Sequence, residues 1–257
     1  MATAIGVRGG AWLGSPAVLI EPPSKWASRT PHPPRRSCTM TNPQQPKPLS
    51  PIFDALDEAL SDDDTDPDTD DLQSEAIRAI WYGFDAPQAV QALIDEQIEQ
   101  GLEFDVDKVR ATVDREFAKK RAAEAQWPAI TDFDKLDRAF VRLHEQGICA
   151  LHCPGDTQEQ GIEAVADVLT DDDTPEDKYH GYCFYDSQDL DRALDNEGLL
   201  LAHGHVDRSE AEDAQHIAVA QAICEALRQE GLEVDWNGST NRRINLPSFR
   251  WQRRSPG

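Results

Sequence analysis

The chain is 257 residues long and carries 48 Asp and Glu against 25 Lys and Arg, a formal net charge of −23. With 39% hydrophobic residues and a mean hydropathy of −0.61, it has no run near the ~20 apolar residues of a membrane-spanning helix. Its charge repels nucleic-acid phosphates and anionic lipid alike, so the expectation is a soluble, acidic, cytoplasmic protein with no membrane and no nucleic-acid partner.

Residues 1–50 form a regime of their own, with six basic side chains and one acidic. Prolines spread from Pro16 to Pro48 break any helical or strand period, which predicts a disordered tail. Met40 reads as the true start, with residues 1–39 upstream of it. Residues 51–72 read as an acidic linker, because the Asp-rich block 61–71 is a like-charged run that stays solvated. That block lacks the Gly and the Glu an EF-hand calcium loop requires.

Residues 73–126 read as a helical subdomain, a lid on the core. Asp85 and Pro87 start a helix with Val90, Leu93, Ile94 and Ile98 at helical spacing. A second helix follows Asp105, with Val106, Val109, Val113 and Phe117 as its apolar stripe and Lys108, Arg110, Lys119, Lys120 and Arg121 on its other faces.

Residues 127–254 read as an α+β domain, a mixed four- to five-stranded sheet covered by helices. Thr131 or Asp132 caps a helix carrying Phe133, Leu136, Phe140 and Leu143, closed by Gly147. Strands are predicted over 148–153, 179–185 and 199–206, with helices over 162–169, 187–194 and 213–230. Two closing strands, 232–236 and 242–246, flank the hairpin signal Asn237-Gly238. The odd number of cysteines (Cys38, Cys149, Cys153, Cys183, Cys224) in a chain of this size predicts reduced thiols.

Trp127-Pro128, Thr131-Asp132, Asp134, Leu136-Asp137, Ala139-Phe140 and Gly147-Ile148 open an ordered series. It continues with Gly155, Thr157-Gln158, Gly161, Gly181, Cys183-Phe184-Tyr185, Gln188-Asp189, Gly231-Leu232, Trp236, Gly238 and the run 250–254. Over residues 76–254 this series resembles the bacterial family catalogued as domain of unknown function 6891. The resemblance implies an α+β fold and a bacterial cytosolic setting, and no activity. The shorter stretch 234–238 is similar to the end of small acidic proteins that inhibit ribonuclease E by binding it.

Candidate site residues follow from position. Thr157, Gln158, Gln188 and Asp189 stand just beyond strand ends, where open α/β sheets collect ligands, with Asp189 or His203 available as a general base. His203 and His205, two apart on a strand, share a face and form the candidate metal pair. Cys149 and Cys153, four apart on a strand, stand too far apart to share an ion. Helix capping alone accounts for Asp189. No nucleophile elbow, Walker loop or dinucleotide fingerprint is present, so no catalytic residue and no cofactor is assigned. The arginines 242, 243, 250, 253 and 254 read as braces on acidic helices. The expected function is a noncatalytic acidic protein–protein interaction or regulatory module with a basic protein partner. The alternative is a small-molecule-binding protein or enzyme with a polar pocket at the loops after residues 153 and 185.

Overall fold

The computed structural model describes residues 55–56, 66–175, 177–207 and 213–256. These all fall within one compact unit spanning 46–257. The predicted tail, the start at Met40 and residues 61–65 of the acidic block lie outside the described residues.

The first long helix, α1 (Pro67–Tyr82), begins inside the stretch read as linker. Pro67 opens its first turn, where a missing N–H costs nothing, and Asp68 and Asp70 sit where the helix dipole favours negative charge. Acidic density that reads as solvated linker is thus partly a helix start. Gly83 ends α1 at φ +76°. A Cβ there would come within 2.5 Å of Lys120 Nζ and 2.8 Å of the Arg253 carbonyl oxygen, so both conformation and space demand glycine.

Helix α2 (Pro87–Glu99) starts on Pro87 as expected. Helix α3 (Val106–Glu124) is capped by Asp105, whose side chain accepts from the Lys108 amide. It buries Val109, Val113 and Phe117. It also buries a polar edge, Thr112, Glu116 and Lys120, four residues apart and facing α1. Gln73 Nε2 donates to Thr112 Oγ1 at 2.7 Å, and Trp81 Nε1 donates to Glu116. Lys120, one of the cations off the apolar stripe, is fully buried, with Nζ donating to the Ile80 carbonyl at 2.7 Å.

Helix α4 (Asp132–Glu145) opens with a capping box: Thr131 accepts from the Asp134 amide and Asp134 accepts from the Thr131 amide. Four strands follow: β1 (Ile148–His152), β2 (Gly181–Tyr185), β3 (Leu199–His205) and β4 (Ile244–Leu246). Helices α5 (Gln158–Thr170), α6 (Ser187–Leu194) and α7 (Asp213–Gln229) connect them. The fold is α+β, with seven helices and a four-stranded mixed sheet among the described residues. Strand order is β1-β2-β3-β4; the first pair is parallel and the other two antiparallel.

The period-two pattern divides the sheet between two apolar layers. Ile148, Ala150, Cys183, Tyr185, Leu199 and Leu201 enter a large cluster with α4 and α7, which runs on into α1 and α3. Cys149, Tyr182, Phe184 and Ala202 enter a smaller one with Val165 of α5. The expected closing hairpin is mostly loop: β4 has three residues, and its partner stretch contributes one bridge, Asp235 to Asn245. Trp236 Nε1 reaches the carbonyls of Ser239 and Arg242, which serves the turn's backbone without a ladder.

After β4 the chain returns over the helices as a strap. Trp251 Nε1 donates to the Tyr82 carbonyl and Arg253 Nε to the Gly83 carbonyl, satisfying oxygens at the end of α1. The Arg253 guanidinium lies 4.1 Å from the Phe84 ring and 4.7 Å from the Phe133 ring. Arg254 donates to the Pro128 carbonyl. Among the described residues no helix is long and apolar enough to cross a membrane.

Candidate functional site

The C-terminal ends of β1 and β2 lie side by side, since His152 pairs with Tyr185. The segments that follow carry four carboxylates, Asp156 after β1 and Asp186, Asp189 and Asp191 around the start of α6, and the α1–α2 turn supplies a fifth, Asp85. Asp186 and Asp189 do not face outward. They form a reciprocal capping box, and Arg243, from the residue before β4, bridges them at 2.8 Å to Asp189 and 3.3 Å to Asp186. Burial pushes the Asp189 carboxyl up to about 7 against the opposing pull of Arg243 and the Asp186 amide.

The remaining acids open onto a groove of about 670 Å³. Its walls include Asp71, Glu75, Asp85, Asp156 and Asp191, against one guanidinium, Arg78. Ala79, Tyr82 and Leu93 give it an apolar floor. Tyr82 donates its hydroxyl to Asp191 at 2.7 Å, and burial together with that carboxylate holds the phenol well above its ordinary range.

Cys153, directly after β1, adopts a left-handed backbone at φ +45°. Burial, reinforced by Asp156, Asp186, Asp191 and Asp189, pushes its thiol up to about 12. It therefore keeps its proton at neutral pH and is a poor nucleophile. A second array lies beneath the same strand ends. The Tyr185 hydroxyl and His152 Nδ1 are 2.9 Å apart, and His152 Nε2 lies 3.2 Å from Asp137 Oδ1. Because Asp137 accepts, Nε2 carries the proton and Nδ1 accepts from Tyr185. Burial drops His152 to about 4 and leaves Tyr185 wholly enclosed, so this chain of hydrogen bonds runs from the exposed carboxylate of Asp137 to a blind end in the core.

None of the sequence-nominated residues lines the groove; their neighbours Asp156 and Ser187 do. Thr157 is the N-cap of α5, accepting from the Gln160 amide, and Gln158 and Gln188 lie exposed in the first turns of α5 and α6. Asp189 is committed to its cap and to Arg243. His203 Nε2 donates to the Arg242 carbonyl, leaving its Nδ1 buried and unpaired. His205 Nδ1 accepts from the Asp207 amide, so its one lone pair is spent and its Nε2 bears the proton. The two rings thus present no shared pair of open ligand atoms. Among the described residues no group of three His, Cys, Asp or Glu side chains is placed to hold a metal ion.

The groove's α1 wall escaped the sequence reading, although its signal is there. Asp71, Glu75, Arg78 and Tyr82 fall at spacings of four, three and four, one face of a helix. The expected arginine braces hold for two of the five, Arg243 on Asp186 and Asp189 at the start of α6 and Arg254 on Asp134 of α4; Arg242 pairs with the non-helical Asp235, Arg253 rests on the Gly83 carbonyl and two rings, and Arg250 pairs with no acid among the described residues.

No curated protein and no solved structure matches the chain. A family model does, over residues 65–255, a span that begins in the acidic stretch and includes all of α1. The chain therefore belongs to the family described as domain of unknown function (DUF6891).

Proposed function

We propose that this is a noncatalytic acidic binding module of the bacterial cytosol, which holds a Lys- or Arg-bearing segment of a basic protein in the groove between α1 and the loops after β1 and β2. The observation that carries this reading is the groove's lining: five carboxylates and one guanidinium around an apolar floor. A long cationic side chain matches that pattern, its methylene stem against Ala79, Tyr82 and Leu93 and its charged head among the acids. The chain's overall negative field adds to encounter rates with such a partner and disfavours anionic ones. The rival reading, a small-molecule site or enzyme at the same loops, has less support, because the Asp189 oxygens are taken up by its helix cap and Arg243 and the Cys153 thiol stays protonated.

The test uses a tetra-arginine peptide titrated calorimetrically into the full chain at low and at moderate salt. Binding is expected at low ionic strength and should weaken as the screening length falls toward ~8 Å near physiological salt. The double variant Glu75→Lys/Asp156→Lys changes two exposed side chains and should abolish binding without altering the melting temperature. Equal affinity of variant and parent would sink the groove as the binding site.

A further inference from the structure

A second cavity, sharing no lining residue with the acidic groove, has the opposite chemistry. It measures about 540 Å³ and lies where the end of α1, the end of α3, the end of α6 and the C-terminal strap meet. Trp81, Trp127, Phe249 and Trp251 supply aromatic walls, with Leu194 and Pro247 beside them. Not one carboxylate is among its twelve lining residues, in a chain with 48 acids and a net charge of −23. The cavity's single charged side chain is Arg250.

Arg250 also stands apart from its neighbours in sequence. Arg242, Arg243, Arg253 and Arg254 are each engaged by a carboxylate, a carbonyl or an aromatic ring. The Arg250 backbone N–H is held by Asp132, while its exposed guanidinium meets no acid, carbonyl or ring among the described residues. Asn196 and Gln252, the amides on the same lining, likewise have no side-chain partner among the described residues. One half-exposed indole, Trp127, the small exposed margins of Trp81, Phe249 and Trp251, one uncommitted guanidinium, two uncommitted amides and no carboxylate on the lining make a consistent set. Aromatic faces stack planar rings, and a guanidinium pairs two-pronged with a carboxylate. The volume lies in the range of small-molecule sites.

We infer that this cavity binds a small planar aromatic acid, its ring on Trp127 with Trp251 at its margin and its carboxylate on Arg250. The inference is independent of the acidic groove and stands whether or not a basic partner docks there.

The probes are naphthoate and its neutral counterpart naphthamide, added to the full isotope-labelled chain while the tryptophan indole N–H resonances are followed. Naphthoate should shift Trp81, Trp127 and Trp251 and leave Trp236, which does not line the cavity, unmoved. Arg250→Ala should weaken naphthoate by about tenfold, the scale of one lost charge-assisted hydrogen bond, and leave naphthamide unchanged. Trp127→Ala, at a half-buried position, should weaken both ligands. Both substituted side chains are at least partly exposed, so the fold survives, and an unchanged Trp236 resonance reports it. The inference is overturned if naphthoate moves no cavity indole, or if naphthoate binds the Arg250→Ala variant as tightly as the parent chain.

Discussion

Burial pushes the Asp189 carboxyl up to about 7, while an aspartate in the unfolded chain titrates near ~4. Between those values the folded protein holds a proton that the unfolded chain has lost, so this group's contribution to stability falls as pH rises from about 4 to about 7. His152 works in the other sense. Its ring is depressed to about 4 against an unfolded value near ~6.5, so in that window the unfolded chain binds the extra proton and stability rises with pH. The two slopes oppose each other across nearly the same interval. Asp189→Asn keeps a side chain of the same shape and removes one of them. Urea midpoints of that variant should climb with pH between about 4 and 6.5, where the parent protein stays comparatively flat. A variant profile parallel to the parent's would show that Asp189 is already ionised in the fold. Lys120 supplies a third linkage: burial lowers it to about 8. Above that pH the folded lysine is neutral while the unfolded one still binds its proton, so stability rises up to about 10.5. Lys120→Met should erase this alkaline rise in the same measurement.

Helices and strands were legible to the degree that their own residues determine them. Thr131 and Asp134 at α4, and Asp186 and Asp189 at α6, are local reciprocal caps, and the apolar stripe of α4 is complete within fourteen residues. The start of α1 is not legible in the sequence, because an Asp-rich run is compatible with both a solvated linker and a dipole-favoured first turn, and only packing decides. Lys120 reads only as one of several cations off the apolar stripe, because nothing local announces that the Ile80 carbonyl, forty residues away, will meet its ammonium. The site followed the same rule. The loops after β1 and β2 are legible in the sequence, but of the residues it singles out there Thr157 and Asp189 are spent on capping their own helices, and Gln158 and Gln188 lie exposed outside the groove. The side chains that open outward, Asp156 and Ser187, gain a use only when α1 lies opposite them. The strap is the element with the sharpest consequence. Trp251 packs against Phe84, Phe133, Tyr185 and Phe249 and also serves the Tyr82 carbonyl. Trp251→Ala should cost ~3–5 kcal/mol in urea unfolding, whereas Ser248→Ala, at an exposed position of the same strap, should cost ~0.5 kcal/mol or less.

At the scale of the molecule, the acid excess is the dominant fact. A formal charge of −23 makes the compact state repel itself, and the arginine braces relieve that only locally. Raising sodium chloride from low to physiological concentration should therefore raise the melting temperature by several degrees, through screening at ~10 Å and beyond. A melting temperature that drops over the same range would mean that short ion pairs outweigh the long-range repulsion. The sheet itself is economical in its wiring, with every strand beside its neighbour in sequence. The strap is the exception, because it joins Trp251 to Tyr82 and Arg253 to Gly83 across 169 and 170 residues. During synthesis at ~5–20 residues per second, that interval lasts on the order of ten seconds. Throughout it the newly made α1 has the Tyr82 and Gly83 carbonyls open at its end, a period in which a nascent-chain chaperone has something to hold.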